Sequence, residues 1–369
     1  LYLKAKNIYK KRQNTDDTEI ARGLLNKAIE LDDNLIVAKN FLGFTYMQMG
    51  DYDEAMEIYT STLKQAEELG DKAGMGDSFN NIGIVHNNKG DLDTALEYYD
   101  RSLKMQEELG DKDGMEASFN NIGLVHSDKG DFDTALEYYG RSLAICEELG
   151  DKARMGASFN NIGILHKHKG DYDIALDYYK RSLLTQQELG DKPGMGASFN
   201  NIGVLHKDKG DYDKALEYYK SSLAIQEGLG DKLGMGVALN NIGVLHYDKG
   251  AYDKAIEYLE KSLSIHKEIG FKAIELITTT YLYLSYKHLG KAYDLNEIHS
   301  LIKETENIEF ELNFRLYELL EELSYLETTY NQVQEKASAM EKELAEKYLS
   351  YPLPKQIVEE WEKVSKVKN

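Results

Sequence analysis

The chain has 369 residues, with 44 basic and 64 acidic side chains and a formal net charge of −20. That balance argues against a nucleic-acid surface, because neutralising phosphates needs a Lys/Arg face; a charged partner is expected to be basic, or the charge simply solvates the exterior. A single cysteine, Cys146, rules out an internal disulfide and suits a reducing cytoplasm. The most apolar stretch, LITTTYLYLSY at 276–286, is too short and too polar to span a bilayer.

Leu1 is not an initiator methionine, so the sequence reads as a piece of a longer polypeptide. Only 3 prolines accompany 30 glycines, which predicts long helices with glycine as punctuation. Residues 1–35 open the chain with KKRQNTDDTE and a helical ARGLLNKAIELDDN.

From 36 to 275 the sequence repeats every forty residues, six times. Gly43, Gly83, Gly123, Gly163, Gly203 and Gly243 mark one series, and Gly50 to Gly250 and Gly70 to Gly270 mark two more. In the unit 156–195 the stripe Phe159, Ile162, Gly163, His166 has the spacing of one helix face. Gly170 stops that helix, and Asp171 or Asp173 is placed to cap the next. The second helix carries Ala175, Leu176, Tyr179 and Leu183 and ends at Gly190. Such a pair cannot bury its apolar face alone, so neighbouring pairs must stack.

A large apolar residue, Leu/Ile-Gly, a ring, Gly-Asp-Tyr, Ala and Tyr in this order resemble the tetratricopeptide repeat. The forty-residue unit resembles the variant in kinesin light chains, spindle-orientation adaptors and bacterial signalling arrays. The resemblance implies an all-α, right-handed superhelix of about eight helical hairpins ending in a long helix. Residues 1–35 resemble a degenerate first repeat with an enlarged turn, and 276–308 a degenerate last one. Two departures stand out. His86, His126, His166, His206 and His246 replace the usual tyrosine, and Thr62, Ser102, Ser142, Ser182, Ser222 and Ser262 replace a small apolar residue. Both sets are expected to pack more wetly.

No GxxxxGK[ST], HExxH, GxSxG or CxxC motif occurs. Gly-Met-Gly at 74–76, 194–196 and 234–236 reads as an inter-repeat joint, and Cys146 as core filler. The histidines repeat at helix-packing distances, too far apart for one zinc ion. No catalytic site, metal or cofactor is expected.

Paired asparagines are the candidate site: Asn80/Asn81, Asn120/Asn121, Asn160/Asn161, Asn200/Asn201 and Asn240/Asn241. Asparagine is a poor mid-helix residue. Helical spacing puts the pairs beside Ile84, Leu124, Ile164, Val204 and Val244, with Lys167 and Lys207 adding charge. An amide can donate to and accept from a peptide backbone, which suits capture of an extended segment. The resemblance implies that first helices line the concave wall. It also makes the asparagine before Leu/Ile-Gly the groove residue: Asn81, Asn121, Asn161, Asn201 and Asn241. The alternative is that one asparagine per pair bonds the neighbouring repeat. The lysine-and-arginine clamp that grips a terminal carboxylate is not reproduced.

Beyond 308 the stripe Leu319, Leu323, Leu326, Tyr330, Val333, Ala337, Met340, Leu344 alternates spacings of four and three. Over 309–350 this predicts either a coiled coil, able to pair two copies through 319–344, or a helix pair capping the repeats. YPLPKQIVEEWEKV at 351–364 restarts an amphipathic helix within 351–369. A coiled coil followed by this segment resembles the linker preceding class III nucleotidyl cyclase domains, whose catalytic domain would lie outside the chain. A kinase or caspase-like effector fits the repeats equally well. The leading expectation is a cytoplasmic, non-catalytic scaffold binding a protein or peptide segment. The alternatives are the sensor arm of a signalling enzyme and a purely structural rod.

Overall fold

A computed structural model describes residues 1–10, 15–270, 274–305 and 308–368. Of the enlarged turn expected within 10–19, residues 11–14 lie outside the described residues, as do 271–273 at the end of the sixth repeat and 306–307 near the end of the last.

The described residues form twenty α-helices and no strand. Sixteen make eight hairpins: α1 (Tyr2–Lys10) with α2 (Thr15–Leu31), α3 (Ile36–Met47) with α4 (Tyr52–Leu69), α5 (Lys72–Asn88) with α6 (Leu92–Leu109), α7 (Lys112–Asp128) with α8 (Phe132–Leu149), α9 (Lys152–His168) with α10 (Tyr172–Leu189), α11 (Lys192–Asp208) with α12 (Tyr212–Leu229), α13 (Lys232–Asp248) with α14 (Tyr252–Ile269), and α15 (Glu275–His288) with α16 (Leu295–Lys303). Four more follow: α17 (Phe310–Leu320), α18 (Leu323–Ser338), α19 (Lys342–Leu349) and α20 (Pro352–Lys368). The chain divides into two compact units, Leu1–Arg154 and Met155–Asn369.

Backbone chemistry explains the hairpins. Gly110 ends α6 with φ 68°, the left-handed conformation that glycine adopts at least cost, while Asp111 N–H donates to the Gln106 carbonyl. Asp111 then caps α7 by accepting from Gly114 N–H. Asp171 does not behave as expected: it makes no cap bond and pairs with His166 Nδ1 at 3.3 Å. Within five of the hairpins the two helices meet at glycine on tyrosine, and in α13–α14 at Gly243 on Leu259. A Cβ on Gly83 would lie 2.7 Å from the Tyr99 ring, and one on Gly163 2.7 Å from Tyr179.

The serines are drier than expected. Ser102 is fully buried and donates to the Gly76 carbonyl at 2.8 Å. Gln106 donates to Ser102, and Ser118 of the next hairpin donates to Gln106 at 2.7 Å, so a buried polar chain joins successive repeats. Where Gly76 is replaced by Glu116, Ser142 donates to that carboxylate instead.

Residues 319–344, expected to form either a coiled coil or part of a capping helix pair, do not make one continuous helix. Glu321 adopts φ 60° and ends α17, and separate breaks follow α18 and α19. Leu326, Val333 and Ala337 of the stripe bury against Tyr172, Ala175, Ile202 and Leu205 of the same chain, while Leu323 stays exposed.

Candidate functional site

In the first unit, α5 and α7 carry the asparagine pairs. Asn121 Nδ2 donates to Asn80 Oδ1 at 2.9 Å, tying one repeat to the next. The second unit repeats this bond twice, from Asn201 to Asn160 at 2.8 Å and from Asn241 to Asn200 at 2.7 Å. The series ends where Thr278 donates to Asn240 Oδ1. The second asparagine of one pair therefore serves as donor and the first of the preceding pair as acceptor, which is the stacking role weighed against peptide binding.

Asn81 differs. Its side chain makes no hydrogen bond among the described residues, and it stands half-buried between Asp77 and Ile84 on one face of α5. The preceding repeat offers Asn40, which instead accepts from Ser78 and leaves its own Nδ2 buried without a partner. Asp77 forms no ion pair among the described residues. Solvent reaches it, yet protein crowding and the carboxylates of Asp111 and Asp71 push its pKa up to about 6. On α7, Leu124 is 40% exposed and burial raises the pKa of Asp128. Among the described residues this face combines an amide without a hydrogen-bond partner, exposed aliphatic surface and carboxylates that form no ion pair.

The equivalent face of the second unit is covered. Ile164 packs into the cluster formed with α18, α19 and α20, and Val244 is 4% exposed against Leu312 and Leu316 of α17. Lys207 Nζ donates to Glu311 Oε1 at 2.7 Å, and Tyr281 donates to the same oxygen. Burial alone would lower the Lys207 pKa; Glu311 outweighs it and raises it. The same pairing overcomes the burial of Glu311 and holds that carboxylate well below its ordinary range. Arg315 binds Asp248 at 3.0 Å and Glu318 at 2.7 Å. Lys167 makes no ion pair among the described residues and acts electrostatically on Asp208, while Val204 stays half-buried with the α12 core. Lys347 reaches Asp173, and Tyr172 stacks on Tyr351 at 4.6 Å.

The histidines pack inside the hairpins. His86, His126, His166, His206 and His246 each stack on the tyrosine of their own hairpin, at centroid distances of 5.5 to 5.8 Å. Among the described residues no three His, Cys, Asp or Glu side chains group to hold a metal, and no helix is long and apolar enough to cross a membrane.

Sequence reasoning missed the covering of the second unit, although a signal existed. Helix α15 buries Leu276 and every residue from Thr278 to Ser285, and a helix buried all round needs a layer on each side.

A tetratricopeptide-repeat family model matches residues 34–108, 74–148, 114–188, 154–228 and 194–268, more than half of the chain. No curated protein matches the sequence. Among solved structures the fold is similar to a Signal Transduction ATPase with Numerous Domains from Pyrococcus horikoshii that has a tetratricopeptide repeat sensor. The TM-score is 0.64 and the identity 18%, over 82% of this chain and 45% of that one. It is similar to a Rap protein complexed with competence and sporulation factor, with TM-score 0.57 and 14% identity, over 90% of this chain and 97% of that one. BtubC from P. vanneervenii gives TM-score 0.54 and 22% identity, over 60% and 92%. The chain thus spans under half the length of the ATPase, and at these identities the likenesses establish the fold. With the repeat model matching five overlapping segments and the hairpins following the same forty-residue period, the chain belongs to the tetratricopeptide-repeat family.

Proposed function

We propose that this chain is a non-catalytic, cytoplasmic scaffold that captures a basic segment of a partner protein on the first-helix face of residues 1–154. The observation that carries this reading is the contrast between equivalent positions. Leu124 lies open on the helix that carries Asp128, a carboxylate with no ion pair among the described residues, whereas Ile164 is packed under the chain's own helices. Asn81 supplies a free amide for a peptide backbone, Ile84 and Leu124 supply aliphatic contact, and Asp77 and Asp128 favour lysine or arginine. The asparagines bonded between repeats set the spacing of these groups. The test is affinity capture with the whole chain, in wild-type and Asn81→Ala/Asp77→Asn forms, with the bound segment mapped by mass spectrometry. A basic segment retained only by the wild type supports the reading; equal retention by both forms contradicts it.

A second reading, a sensor arm of a larger signalling enzyme, draws on the tetratricopeptide repeat sensor named for the similar Pyrococcus horikoshii ATPase. It differs in requiring an effector domain on the same polypeptide, which sequencing the complete gene would find or fail to find.

A further inference from the structure

Positive-φ glycines close the turns inside three hairpins of the second unit: Gly170, Gly210 and Gly250. The C-terminal helices seal two of them. A Cβ on Gly170 would lie 2.7 Å from Met340 Cε, and one on Gly210 would lie 3.0 Å from Pro352 Cγ. Above Gly250 nothing lies within 4 Å. There a cavity of about 370 Å³ opens between the α13–α14 turn and helices α17 and α20, within the size range of small-molecule sites.

One wall is aromatic, with Tyr252 and His288 stacked at 4.2 Å and Tyr212 and Tyr247 beside them. The other lining side chains carry charge, and Arg315 lies over the Tyr247 ring at 5.3 Å. Both lining cations are committed, Lys207 to Glu311 and Arg315 to Asp248 and Glu318. Asp208 is the carboxylate left over. Its nearest cation, Lys207 Nζ, stands 3.9 Å away, beyond hydrogen-bond reach, and its side chain accepts no hydrogen bond among the described residues. Lys167 and Lys336 act on Asp208 electrostatically but do not line the cavity. Counting the lining groups, four carboxylates face two cations.

We infer that this cavity binds a small organic cation, an ammonium or guanidinium compound. Its N–H groups would donate to Asp208, and the faces of Tyr212 and Tyr252 would receive its charge. An anion would meet Asp208 directly, and no metal-holding group of side chains exists among the described residues. The occupant would touch both the repeat turns and α20, so it would hold the C-terminal helices in place.

The probe is agmatine, with glutarate as the anionic control, added to the full chain in 150 mM salt. Calorimetry should show saturable one-site binding, and melting temperature should rise with agmatine. Asp208→Asn should weaken binding roughly tenfold or more, as expected for losing a charged hydrogen bond. Leu353→Trp, which fills the cavity from α20, should abolish binding while far-UV circular dichroism stays that of the wild type. Absence of saturable agmatine binding, equal affinity in Asp208→Asn, or equally tight glutarate binding would each overturn the inference.

Discussion

Lys207 Nζ lies 2.7 Å from Glu311 Oε1, so a side chain that its sequence position assigns to an external peptide is bound by the chain's own seventeenth helix. Both groups are largely buried, with 13% and 29% of their side-chain surface exposed. Removing one partner of such a pair strands the other. Lys207→Ala should therefore cost about 3 kcal/mol in urea denaturation, whereas Lys207→Met combined with Glu311→Leu should recover most of that loss. Because Glu311 is held below its ordinary pKa, its contribution is complete above about pH 4.5 and is lost as pH falls below that. Loss of the wild-type advantage above pH 6 instead would contradict the pairing.

The asparagine ladder predicts unequal alanine variants. Asn121→Ala and Asn201→Ala each delete a bond between repeats and should lower stability by about 1 kcal/mol. Asn81→Ala deletes no bond and removes a poor helix former, so its melting temperature should stay level or rise. Thermal melts of the three variants decide this; a sharp drop for Asn81→Ala would show that it locks repeats as well.

Asp77 gives a pH-dependent signature. Its pKa is raised to about 6, so its ionised form is disfavoured in the folded chain. Stability from this group is fully present below the unfolded value near 3.8 and declines as pH rises through 6. Asp77→Asn should therefore melt higher than wild type at pH 7.5 and equal to it at pH 4. An advantage of the same size at both values would contradict the assignment.

Two glycines on neighbouring helices should respond in opposite directions to alanine. At Gly123 a Cβ would lie 2.9 Å from the buried Tyr139 ring, so Gly123→Ala should destabilise by roughly 1–3 kcal/mol. Gly140 is an exposed helical glycine with nothing within 4 Å, so Gly140→Ala should stabilise by roughly 0.5–1 kcal/mol. Chemical denaturation of both variants checks the hairpin geometry.

The hairpins were legible because six copies of the same spacing agree, and each glycine or aspartate at a turn has a local backbone reason to be there. The C-terminal helices were legible only as an ambiguity. A stripe alternating four and three residues is equally suited to a second copy of the chain and to the chain's own repeats. The break at Glu321 gave no warning, because a glutamate in the left-handed region lacks the usual glycine or proline signal. It is held from elsewhere: Lys287 Nζ donates to Glu321 Oε1 at 2.7 Å and to the Glu318 and Leu319 carbonyls, a contact over thirty residues distant in sequence. The inter-repeat role of the asparagines was foreseen as an alternative, but pattern alone could not single out Asn81. In the preceding repeat the Asn40 oxygen accepts from Ser78, a contact the repeat pattern does not reveal.

Photo-crosslinking at two equivalent positions tests the central claim most directly. Benzoylphenylalanine would be placed at Leu124, which is exposed, or at Ile164, which packs against the C-terminal helices. After irradiation in cells and mass spectrometry, position 124 should be joined to a basic segment of another protein, and position 164 to residues within 310–368 of the same chain. Foreign protein captured at 164, with 124 unreacted, would contradict the account.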